Sequence, residues 1–267
     1  MPAIDLARLK IQAVHLSDKF EDPVAFVHDL NELLNSYTNR TIRSTQTAQR
    51  LSLPTFHTPV PVLHQIQSEL DPLAASHPAQ AITLVNALWK EKFLEARLLA
   101  AHLLGRISPS EALSSLSRLP EWLSQSTDKK VREALLTDSL TRLRRENPED
   151  FFTILEDWLG SAQSSHQVWG LQALIPLVNA AHFENLPAVF RILRPAVLTA
   201  GPLTQLELKS LIATLEGVSL METTVFLREM LTGNPPAMLV RTVHRMLPAF
   251  SPELQKALRD ILHEAGI

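Results

Sequence analysis

The chain has 267 residues, 45% of them apolar and 20% charged, with a formal net charge of −3. That composition supplies enough apolar surface for a sizeable core and argues against long disordered stretches. The chain holds no cysteine and only 7 glycines, which excludes disulfides, thiolate metal sites and cysteine nucleophiles, and leaves few tight turns for a β-rich or doubly wound fold.

Residues 4–19 carry Ile4, Leu6, Leu9, Ile11, Val14 and Leu16 at roughly helical spacing, which predicts a first helix. Asp22-Pro23 reads as an N-cap followed by proline at the first helical position, opening a second helix to about Tyr37. Residues 38–50 are polar and hold Arg40, Arg43 and Arg50 without an acid. They suit a solvated connector or a set of phosphate contacts. Residues 51–62, with Pro54, Pro59 and Pro61, read as an ordered loop, and a helix follows from about Pro61 to Leu70. Residues 1–60 are thus expected to cap an array that occupies residues 61–267.

From residue 77 the text becomes repetitive. Apolar-periodic segments alternate with turn signals such as Ile107-Ser108-Pro109, Asn147-Pro148 and Asn234-Pro235-Pro236. First helices are expected at 77–89, 108–124, 147–160, 185–199 and 219–232. Second helices are expected at 91–106, 127–146, 164–181, 203–216 and 235–249, with a capping helix from Ser251. Three second helices open near Glu95, Val131 and Val168, thirty-six and then thirty-seven residues apart. Such a period marks an α-solenoid, because one helix pair cannot bury its apolar face without neighbours. The predicted fold class is all-α, a right-handed solenoid of antiparallel helix pairs of the HEAT-like kind. Trp89, Trp122 and Trp158 each close an apolar run, and packing between neighbouring pairs is their expected role.

The stretch from Ala87 to Gly105 contains Leu88-Trp89, then Glu95-Ala96-Arg97 and the small pair Ala100-Ala101. With residues 147–178, it resembles the DNA alkylation repair family of HEAT-like repeat proteins over roughly residues 60–235. The resemblance implies a DNA glycosylase that excises alkylated purines. Active members share a Trp-Asp-x-x-Asp element whose acid stabilises the positive charge developing on the sugar. Here Trp122 is followed by Leu123 and Ser124, and the nearest downstream acid is Asp128. A second family element places an arginine three residues after a helical tryptophan, where this chain has Trp169 and Gln172. A third, Trp-x-x-Arg, aligns with Ala213 and Glu216, so neither residue is present.

Other chemistry has little support. The chain lacks nucleotide-binding glycine loops, a GxSxG elbow and HExxH. His57 and His64 flank the proline-rich loop but meet no third ligand at metal-site spacing, so no metal and no cofactor are expected. No apolar run reaches the roughly 18–20 residues that span a bilayer. Charges interrupt the first residues too often for a signal-peptide core. No membrane association is expected, and a monomeric cytoplasmic protein is.

Charge is unevenly divided between the two helix sets. The first helices carry eight acids and four bases, and the second helices carry eight acids and twelve bases. A solenoid's second helices generally line its concave face, which gives a mildly basic groove in a chain that is acidic overall. The leading functional reading is a non-catalytic binding module for duplex DNA or a protein partner at the concave face. Its candidate contacts are Arg43, Arg97, Lys129, Lys130, Arg132, Gln172, Arg241 and Arg245. The alternative is a diverged alkylpurine glycosylase, with Trp122, Asp128 and Trp169 around an extruded base. A purely structural role is the third reading.

Overall fold

The computed structural model describes residues 5–38, 53–181 and 183–264. Every regular element in them is helical. The chain divides into two compact units, residues 1–148 and 149–267, and each is described by itself.

Unit 1 opens with α1 (Leu6–Ser17) and α2 (Pro23–Ser36). The Asp5 carboxylate accepts from the Ala7 and Arg8 N–H groups, and Asp22 accepts from Val24 and Ala25. Both acids satisfy donors that a first helical turn leaves without partners. There follow α3 (Val60–Ser76), α4 (Pro78–Lys90), α5 (Leu94–Leu104), α6 (Pro109–Leu116), α7 (Leu119–Gln125), α8 (Lys129–Thr137) and α9 (Thr141–Glu146). Alternate helices lie side by side in two layers. α1, α3, α5 and α8 form one, and α2, α4, α6 and α9 form the other. Leu30, Leu34, Leu84, Leu88, Leu99 and Leu103 are fully buried in the core of this unit. α1 and α2 are the first members of these layers.

Two helices expected to be continuous are each broken. The segment 108–124 becomes α6 and α7, because Pro120 cannot donate to a continuing helix and sits instead at the second position of a new one. The segment 127–146 becomes α8 and α9 around residues 138–140. There the Ser139 N–H reaches back to the Ala134 carbonyl at 3.1 Å, and the Ser139 hydroxyl donates to the Leu135 carbonyl. The break sets the Asp138 carbonyl against the end of α5. A Cβ at Gly105 would lie 1.8 Å from that oxygen, so the contact requires glycine.

Unit 2 comprises α10 (Pro148–Leu159), α11 (Ser164–Val178), α12 (Leu186–Leu198), α13 (Gln205–Val218), α14 (Leu220–Leu231), α15 (Ala237–Met246), a 3-10 turn at Leu247–Ala249, and α16 (Pro252–Glu264). Again alternate helices are neighbours: α11, α13 and α15 in one layer, α12, α14 and α16 in the other. Leu171, Leu174, Leu193, Leu211 and Leu215 are fully buried. No described helix is long and apolar enough to cross a membrane.

Candidate nucleic-acid interface

In unit 1 the end of α4 meets α7 through two tryptophans. Trp89 stacks on Trp122 with ring centroids 4.5 Å apart and planes 17° from parallel. The Arg97 guanidinium of α5 lies over Trp89 and that of Arg118 over Trp122, each 5.1 Å from the ring centroid. One face of each indole is taken by the other indole, and a cation covers each ring. Trp122 has no exposed surface, and its indole N–H is buried without an acceptor among the described residues. Arg97 is further tied by its Nε–H to the Glu91 carbonyl at 3.0 Å. Its burial lowers the guanidinium pKa from the ordinary value, yet a guanidinium stays charged under such a shift.

Asp128 begins α8. Its side chain is 8% exposed and accepts from the Lys130 N–H at 2.8 Å, as an N-cap does. Lys129, Lys130 and Arg132 follow on the first turn, all exposed and none in an ion pair among the described residues. Arg43 lies outside the described residues, with Arg40 and Arg50.

The described part of the proline-rich segment, from residue 53, is anchored on α5. The Thr55 hydroxyl donates to Glu95 Oε1 at 2.6 Å, the Leu94 N–H donates to the Pro54 carbonyl at 2.9 Å, and Phe56 stacks on Phe93 at 4.2 Å. These contacts hold His57 at a φ of 52°, a left-handed conformation that non-glycine residues seldom adopt. Glu95 is buried and its second oxygen has no partner among the described residues.

In unit 2, Trp169 is buried on α11, edge-on to Trp158 at 6.2 Å and 4.8 Å from the His166 ring. The Gln172 amide donates to Glu207 of α13 at 3.2 Å. Glu216 of α13 accepts from the Ser251 N–H at 3.1 Å, ahead of α16. Arg241 and Arg245 lie one turn apart on α15, both exposed.

A model of the family described as DNA alkylation repair enzyme matches residues 32–196. The chain belongs to that family. No curated protein and no solved structure matches it. The family match takes in all of α3 to α11, and with them the tryptophan stack, the Asp128 cap and Gln172.

At the positions singled out in the sequence by the family resemblance, the side chains have partners within the chain. Trp122 is paired with Trp89, Asp128 with the α8 backbone, Gln172 with Glu207 and Glu216 with Ser251. Sequence reasoning missed Arg118 and the Thr55–Glu95 anchor. Thr55 and Glu95 are forty positions apart, and no short-range pattern links them. The one cluster with metal-ligand reach among the described residues is His28, Asp29 and Glu32. It lies open to solvent on the single helix α2, where charged groups at helical spacing are ordinary.

Proposed function

We propose that this chain binds duplex DNA through the exposed cations at the start of α8 and does not excise bases. Excision requires an anion placed beside the sugar and open aromatic walls around an extruded nucleotide. The observation that carries the reading is the Trp89–Trp122 stack. The aromatic at the family's catalytic position is fully buried against another indole, and the nearest acid, Asp128, already serves as a helix cap. Membership of a DNA-directed family supports DNA as the partner. Lys129, Lys130 and Arg132 supply exposed positive charge that has no ion-pair partner among the described residues, which suits phosphate.

The test is fluorescence anisotropy on three labelled duplexes: plain, abasic and 7-methylguanine-containing. Titrations at about 50 mM and about 200 mM salt should show steep weakening and no preference for the lesion. Alanine at Lys129, Lys130 or Arg132 should each reduce the salt slope by about one. No binding at low salt would overturn DNA as the partner and favour a protein instead.

The family's description as repair enzymes favours a second reading, a diverged alkylpurine glycosylase. Release of 7-methylguanine from the same duplex would establish it and sink the non-catalytic reading. Asp128→Asn, which keeps the cap and removes the charge, would then abolish release if Asp128 is the stabilising acid.

A further inference from the structure

The layer of α12, α14 and α16 carries a cavity of about 450 Å³ in the valley between α12 and α14. Pro187 and Phe190 wall it from α12, and Met221 and Val225 from α14. Phe190 stacks on Phe226 at 4.8 Å with planes 17° from parallel, which gives the valley a rigid aromatic floor. Met221 is 75% exposed and Val225 52% exposed. Large apolar side chains gathered at the mouth of a groove point to a partner that covers them.

The two ends of the valley differ in charge. Toward the helix C-termini, Arg194 donates to Glu229 at 2.9 Å and closes the slot. The other lining arginine, Arg191, is held by Glu156 of α10 at 2.6 Å. Both lining cations are therefore neutralised. At the opposite end Glu222 lines the valley half-buried, and its carboxylate has no hydrogen bond or ion pair among the described residues. The slot thus presents apolar walls and one carboxylate with no ion-pair partner among the described residues. A phosphate backbone would be repelled there, and an apolar body that bears a cation would be matched.

We propose that this valley docks an amphipathic helix of a protein partner. Two large apolar residues one turn apart would fill the slot, and a lysine or arginine would sit against Glu222. Two neighbouring helices leave a groove whose ridges suit a third helix. The flexible thioether of Met221 lets the wall adapt to the inserted side chains. The proposal does not rest on the DNA reading and stands whether or not the chain binds DNA.

The experiment titrates the full chain, labelled with ¹³C at its methionine methyls, with a Leu/Lys amphipathic helical peptide. The same peptide with glutamate in place of lysine is the counter-probe. The Leu/Lys peptide should shift the Met221 methyl signal saturably, and the Leu/Glu peptide should bind at least about fivefold more weakly. Glu222→Lys should invert that preference. Asp260→Lys, the same charge change on the exposed face of α16, should not. Val225→Glu should abolish the shift while circular dichroism stays unchanged. An unmoved Met221 signal would overturn the proposal. So would equal effects of Glu222→Lys and Asp260→Lys, which would reduce the interaction to general attraction between opposite charges.

Discussion

Asp128 separates structure from chemistry in a single pair of variants. Its carboxylate is 8% exposed and accepts the Lys130 N–H at the start of α8, a helix of 9 residues that buries Val131, Ala134, Leu135 and Leu136. Asp128→Ala leaves that N–H without its partner and removes a negative charge from the positive end of the helix. Loss of an N-cap costs about 0.5–2 kcal/mol, and about 0.3–1 kcal/mol of it is the charge–dipole part. Asparagine caps as well as aspartate, so Asp128→Asn should forfeit only that charge part. The expectation is a loss of about 1–2 kcal/mol for alanine and under about 1 kcal/mol for asparagine. Urea unfolding followed by tryptophan fluorescence and circular dichroism would measure both, with the transitions of the two units fitted separately. In a thermal melt the alanine variant should fall by roughly 2–4 °C per kcal/mol. The capping argument fails if asparagine is as damaging as alanine, or if neither variant moves the transition.

Three further outcomes follow from the same structure. Gly105→Ala should destabilise unit 1 by about 1–3 kcal/mol, because the new methyl would meet the Asp138 carbonyl oxygen, a backbone atom that cannot swing aside; urea unfolding of the variant reads it directly. Glu95→Ala removes the acceptor of Thr55 and should speed chymotryptic cleavage at Phe56 in the anchored loop, whereas Glu95→Gln, which retains an acceptor oxygen, should protect better than alanine. His28 should titrate above the ordinary imidazole range, because Asp29 accepts from its ring and Glu32 adds attraction. Since this pKa is raised on folding, any stability it contributes is present below the unfolded value and is lost as pH rises through the folded one. An NMR titration in which Asp29→Asn left the midpoint unchanged would refute the assignment.

The fold was legible because its rules are local. Asp5 and Asp22 cap α1 and α2, and Asp22 was readable from the Asp-Pro pair alone. The apolar period of each segment fixed which face would be buried, and two helices per repeat required two layers. The breaks at 117–118 and 138–140 were missed for different reasons. Pro120 was a visible stop signal inside an apolar run that looked continuous. The second break has no such marker in its own sequence. It brings the Asp138 carbonyl against Gly105, thirty-three positions earlier, and that contact is a property of the packed pair of helices.

The site was less legible for the same physical reason. Composition and helical spacing identified Lys129, Lys130, Arg132, Arg241 and Arg245 as cations, and these are exposed. They could not say that Arg97 would lie over Trp89 with its Nε bonded to the Glu91 carbonyl. A departure from a family motif gives only the loss of one group; it does not tell what the replacement does. The structure supplies that second half at two positions, since Gln172 bonds Glu207 of α13 and Glu216 bonds Ser251 just ahead of α16, each thirty-five positions away. A side chain that retained a ligand-binding duty would be left without an internal partner, because the ligand would supply one. By that criterion Asp128, Gln172 and Glu216, each with an internal partner, are poor places to look for a ligand. The cations of α8 and the carboxylate of Glu222, which have no ion-pair partner among the described residues, are better ones.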